Sequence, residues 1–264
     1  MPRIWIAMLV QMACVSASSA HYNMLFPDQP WANKGEKVAF TYQFGHPFEH
    51  ELFDAPKPLA VNVILPDGKT EAVNKLTKVS LKGIDGENVA GYSFTYEPQI
   101  RGDHTFILQT PPIWMEESKD FVQDSVKVVL HVQTQKNWDA GLPLEFSDQI
   151  NLITPVTRPY GLYPGMIFQA HVGRITKGGS SNRGRQVEVE RYHSQPVKNP
   201  PPDELITFKT KTDQNGVFTF AFPEPGWWCM TAAWQQKDRQ WKDGGKEGPL
   251  RERATLWVHV DEKK

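Results

Sequence analysis

Apolar residues recur along this chain in short alternating bursts, each closed by turn formers before it reaches helical length. In Lys37-Val38-Ala39-Phe40-Thr41-Tyr42-Gln43-Phe44 the larger apolar residues fall two apart, the period of a strand with one buried face. Residues 59–65 repeat the pattern and run into Pro66-Asp67-Gly68-Lys69, which supplies a turn. Further bursts occupy 91–97, 104–109 and 125–132. Strands at this spacing, with Gly, Pro and Asp between them, predict an antiparallel β-sandwich over residues 21–135.

The alternation breaks between Gln135 and Pro143, where Lys136-Asn137-Trp138-Asp139-Ala140-Gly141 is polar and turn-rich, and this predicts a domain boundary. A second set of bursts follows at 146–152, 166–172, 186–192, 205–211, 217–222, 228–234 and 254–260, predicting a second sandwich over 136–264. Gly178-Gly179-Ser180-Ser181-Asn182 and Pro200-Pro201-Pro202 read as loops between strands. Asp213-Gln214-Asn215-Gly216 suits a tight hairpin, since Asn and Gly accept positive φ. From Lys211 to Phe220 and on into Pro225-Gly226-Trp227-Trp228, the chain resembles the hairpin of transthyretin-like or carboxypeptidase-regulatory-like sandwiches. The expected fold class is all-β, as two tandem Ig-like or transthyretin-like antiparallel sandwiches.

Composition narrows the classes further. The 264 residues include 21 Pro and 19 Gly, too many breakers for a helical bundle or a coiled coil. Lys and Arg number 29 against 30 Asp and Glu, a balance that argues against a nucleic-acid partner. At the start, Arg3, the mostly apolar run from Ile4 to Val15 and the small residues Ser16-Ala17-Ser18-Ser19-Ala20 have the layout of a secretory signal. Cleavage after Ala20 is expected, giving a periplasmic or secreted chain with no transmembrane segment. A lipoprotein reading through Cys14 is weaker, because Gln11 stands where a lipid-attachment box usually has Leu. Once Cys14 is gone, Cys229 is alone beside Trp227 and Trp228 and reads as a small buried hydrophobe.

The candidate chemistry lies near the new terminus. Cleavage makes His21 the first residue, so one residue offers a free α-amine and an imidazole that can chelate the same ion. In Gly45-His46-Pro47-Phe48-Glu49-His50-Glu51, two His and two carboxylates fall together directly after a strand. Pro47 at the first position of a short helical turn would put His46 and His50 roughly on one side. The alternative is that Glu49 caps the turn and both His are solvated. Imidazoles with carboxylates suit Ni²⁺, Co²⁺, Cu²⁺ or Zn²⁺ better than Ca²⁺ or Mg²⁺.

His21-Tyr22-Asn23-Met24-Leu25-Phe26-Pro27 and His46-Pro47-Phe48-Glu49 resemble the periplasmic component family of ABC-type cobalt/nickel uptake systems. So do the stretch from Thr154 to Gly165, which includes Arg158-Pro159-Tyr160-Gly161, and the later Asn215-Gly216-Val217-Phe218-Thr219-Phe220. The resemblance implies an exported, non-enzymatic nickel- or cobalt-binding protein, accessory to a membrane metal transporter. It supports His21, His46 and Glu49 as ligands; His50 is held by proximity alone.

The remaining histidines read as structural. His104 and His131 fall inside predicted strands as hydrogen-bonded sheet residues, and His171, His193 and His259 show no ligand spacing. Trp114-Met115-Glu116-Glu117 with Asp120 reads as a solvated loop. Two other functions fit parts of the sequence. A copper-dependent polysaccharide monooxygenase would also use an N-terminal His and a second His on a β-sandwich. An adhesion or carbohydrate-binding module would leave the His cluster incidental.

Overall fold

A computed structural model describes residues 21–83, 86–138, 150–174 and 182–263. The expected signal segment, most of the expected boundary at 136–143, the first part of the 146–152 strand and most of the 178–182 loop lie outside the described residues. Those described form an all-β molecule with no α-helix among them.

Eleven strands precede the expected boundary: β1 (Tyr22–Pro27), β2 (Trp31–Ala32), β3 (Val38–His46), β4 (Glu51–Phe53), β5 (Ala60–Ile64), β6 (Thr70–Ala72), β7 (Thr77–Lys82), β8 (Asn88–Tyr96), β9 (Gly102–Gln109), β10 (Ile113–Met115) and β11 (Asp120–Val132). Seven follow it: β12 (Ile153–Pro155), β13 (Ile167–Val172), β14 (Gln186–Arg191), β15 (Phe208–Lys211), β16 (Val217–Ala221), β17 (Gly226–Asp243) and β18 (Lys246–Val260). One sheet has the order β1-β3-β8-β7, with β4 on β3; a second has the order β15-β14-β17-β18-β11-β9-β5-β6, with β10 and β2 on β11; a third is β12-β13-β16.

Two cores hold these layers together. In the first, Phe40 of β3 stacks on Phe94 at 4.8 Å and meets Phe106 of the facing sheet at 4.3 Å, with Tyr42, Val128 and Leu130 around them. In the second, Phe168 and Phe218 pack on Val187, Trp228, Met230 and Leu256. The predicted strands at 37–44, 59–65, 91–97, 104–109, 166–172, 186–192 and 217–222 are all found, within a few residues at their ends.

The layout departs from two separate antiparallel units. β11 pairs with β18 in parallel, from Phe121 opposite Leu250 to Val128 opposite Trp257, so one ten-stranded sheet runs through both halves. The reason lies in β17 and β18, which are apolar on both faces. Trp228, Met230, Leu256 and Val258 enter the second core, while Cys229 and Trp257 enter the first. A strand buried on both sides reads as a continuous apolar run, and Trp227-Trp228-Cys229-Met230 is one.

Three local expectations are corrected. Asp213 to Gly216 does form a turn, with Asp213 Oδ1 accepting the Asn215 and Val217 amides at 2.8 and 2.9 Å. The strands it joins do not pair with one another, however: β15 pairs with β14 and β16 with β13, so it is a corner between sheets. The 205–211 burst shortens to β15, because Asp203–Leu205 closes a single 3₁₀ turn after the prolines. Trp114 and Met115 lie in β10, paired to the start of β11, so this segment is a tight hairpin.

Candidate metal centre

β1 is buried along its whole length and pairs with β3, Tyr22 opposite Gly45. One further step of the same register opposes His21 to His46. Their rings lie 4.5 Å apart between centroids, inclined at 48°. Phe44 is nearly parallel to the His21 ring at 5.7 Å, and Phe53 lies 5.0 Å from it, so two aromatic rings flank the pair. His21 is therefore held in place, because its neighbours Tyr22 and Asn23 are anchored below it.

That anchor is a buried polar network. Asp124 accepts from Asn23 Nδ2 at 3.2 Å and from Arg253 Nε at 2.9 Å, and Thr255 Oγ1 lies 3.1 Å from both its oxygens. Tyr42 donates to Asn23 Oδ1 at 2.6 Å, and Trp257 Nε1 donates to the Asn23 carbonyl at 3.0 Å. Four strands, β1, β3, β11 and β18, meet at this point, and a carboxylate paired this way satisfies the donors that burial strips of water.

The expected helical turn at Pro47 is a β-hairpin. β3 and β4 pair His46 with Glu51 across a four-residue turn, and His50 at its end takes φ +55°. Gly45 lets β4 come close, since a Cβ there would meet the backbone of Glu51 and Leu52. The carboxylate on His46 is consequently Glu51, whose Oε2 accepts the Nδ1 proton at 2.8 Å. In the neutral ring this bond puts the proton on Nδ1 and the lone pair on Nε2, a nitrogen that is buried and has no hydrogen-bond partner.

The other two predicted ligands face elsewhere. Glu49 lies near Glu190, whose carboxyl is raised by burial first and by the Glu49 charge in addition. The His50 ring meets Tyr192 edge-on at 5.9 Å, and burial lowers its pKa. Sequence reasoning weighted Glu49 and passed over Glu51, because a helical spacing hides a partnership that only a hairpin makes. Among the described residues no group of three or more His, Cys, Asp or Glu side chains could hold a metal ion. The side chains supply a pair of imidazoles at this point, from His21 and His46.

The structural histidines are placed as their strands suggest. His104 bonds the Tyr96 hydroxyl at 2.8 Å and the Ile100 carbonyl at 3.0 Å, and burial lowers its pKa. His131 donates to the buried Asp103 at 2.7 Å and stacks on Tyr160. Cys229 is fully buried, and Trp227 and Trp228 enter opposite cores.

A family model described as "Domain of unknown function (DUF4198)" matches residues 18–236. No curated protein matches the chain. Among solved structures, a DUF4785 family protein from Legionella pneumophila shares 11% identity at a TM-score of 0.29, over 82% of this chain and 53% of that one. Native E. coli alpha-2-macroglobulin shares 13% at 0.25, over 91% of this chain and 14% of that one. The human OSCAR ligand-binding domain shares 11% at 0.19, over 90% and 97%. The chain thus spans about half the length of the Legionella protein. At these scores the likenesses carry no argument about function.

Proposed function

The chain belongs to the DUF4198 family, and we propose that it is an exported protein that binds one divalent transition-metal ion through His21 and His46. The observation that carries this reading is the state of His46. Its Nδ1 is committed to Glu51, its Nε2 is buried without a partner, and the His21 ring is 4.5 Å away. A buried nitrogen lone pair left unmatched costs stability, and a metal ion is one partner that recovers it. The carboxylate behind the imidazole raises ligand basicity and holds the ring in place.

Removal of the first twenty residues would complete the donor set with the His21 α-amine. Three nitrogens suit nickel, cobalt, copper and zinc, and copper binds such donors most tightly of these. The sequence resemblance favours nickel or cobalt as the cargo, delivered outside the cytoplasm to a membrane transporter. In this reading the protein is a carrier and catalyses no reaction.

Native mass spectrometry of the secreted protein, with and without Ni²⁺, tests this directly. The expected result is a chain beginning at His21 with one metal ion, and no retained ion in His46→Ala. A chain extended by two residues ahead of His21 that holds nickel as tightly would remove the chelate. Glycan oxidation by the copper-loaded protein with a reductant would replace the carrier reading with the monooxygenase.

A further inference from the structure

The hairpin that carries His46 rests on the second half of the molecule. Pro47 accepts the His193 amide at 2.9 Å, and the Phe48 ring meets the His193 ring edge-on at 4.7 Å. Phe48 donates its own amide to Glu190 Oε1 at 3.4 Å, while Thr207 Oγ1 donates to Glu190 Oε2 at 2.6 Å. Glu190 is only 2% exposed, on the second strand from the edge of the sheet, opposite Cys229. It also lies close to Tyr22, whose phenol is raised by burial and then by the Glu190 charge. One buried carboxyl from β14 therefore adjoins both arms of the site: the residue after His21 and the residue two after His46.

We propose that Glu190 is a positioning residue for the His21–His46 pair, so that the second sandwich sets the geometry of a metal centre built on the first. The inference rests on the metal-binding reading above. A four-residue turn with a non-glycine residue at positive φ does not hold its own shape cheaply. Its contacts outside the turn are concentrated on residues 190–193. Freed of them, His46 would keep its bond to Glu51 and lose its fixed approach to His21. Small displacements of a ligand are felt at the metal, since coordination requires the lone pairs to converge.

Burial pushes the Glu190 carboxyl up to about 8, against the Thr207 hydrogen bond. At neutral pH it is mostly uncharged, so Glu190→Gln is the conservative replacement and Glu190→Ala the disruptive one. Two readouts at pH 7 separate positioning from plain stability: amide hydrogen exchange at Phe48 in the metal-free protein, and the electron paramagnetic resonance spectrum of the Cu²⁺-loaded protein. Copper serves here as a spectroscopic probe of the same nitrogen donors. The expected result is faster exchange at Phe48 and an altered copper spectrum in Glu190→Ala, with affinity lower by about tenfold, and near-complete restoration of all three in Glu190→Gln.

A Glu190→Ala protein that melts at lower temperature, yet keeps the wild-type Phe48 exchange and copper spectrum, overturns the inference. Should that variant not fold, Thr207→Val frees the carboxyl without emptying its place and is expected to shift the same readouts in the same direction. Unchanged readouts there overturn it equally. Wild-type protein that takes up no metal defeats the carrier reading and the positioning role, while the exchange at Phe48 still reports whether Glu190 clamps the hairpin.

Discussion

His46 shows how much of a site can turn on which nitrogen carries a proton. Glu51 is the group that settles it, and its removal should loosen the ring and lower ligand basicity together. Glu51→Ala is expected to weaken metal binding by roughly 10- to 100-fold, while His46→Ala abolishes it, as competition against a chelating dye would measure. Protons compete for the same lone pairs, so affinity should fall as acid is added. Glu190 makes a separate prediction about stability. Burial raises its carboxyl from the usual 4.5 to about 8, so between these values the folded protein holds a proton that the unfolded chain has released. Its contribution is complete below about 4.5 and is lost as pH rises through about 8. Buried histidines such as His104, whose pKa is lowered by burial, act oppositely: stability is gained as pH rises towards 6.5 and is complete above it. The difference in unfolding free energy between wild type and Glu190→Gln isolates the carboxyl, and it should slope with pH across 5 to 8.

Among the elements, β1 decides where the site is. Its six buried residues leave His21 no freedom to wander, although the segment showed no alternation in the sequence from which a strand could be read. Period two needs one wet face, and β1 has none. The alternating strands were legible because they border solvent, and β4, β6 and β10 were not, since three residues carry no period. The pairing of His21 with His46 was anticipated from their chemistry, but the hairpin that brings Glu51 to His46 was not. Pro47 is as much at home in the turn of a hairpin as at the start of a helix. Gly45 marks the difference, and Gly45→Ala should force β4 off β3. Loss of metal binding with the cores intact, seen as unchanged near-ultraviolet circular dichroism from the buried tryptophans, is the expected outcome. Asp124 tests the anchor of β1. Asp124→Ala leaves Arg253 buried without its partner and is expected to cost roughly 3–5 kcal/mol in a denaturant titration.

At the scale of the whole molecule, the parallel seam between β11 and β18 makes the two cores dependent on each other. Trp257 and Cys229 come from the second half of the chain and complete the first core. Calorimetry is therefore expected to show a single cooperative transition, and residues 21–135 produced alone should expose the apolar surface those two side chains cover. Two separate transitions would mean that the seam transmits little. The sequence marked both halves, yet gave no sign of their fusion, because a parallel partner far away in the chain leaves no local trace.

The same seam governs the order in which the chain can be completed. Asp124 and Thr255 meet across 131 positions, and β18 lies inside the sheet, flanked by β17 and β11. A ribosome delivers β11 long before β18, so the growing polypeptide must carry a bare, sticky strand margin until its mate arrives. Its slowest and most aggregation-prone moment is thus the wait for residues 246–260, and an escort that shields that margin until then would raise the yield of native protein.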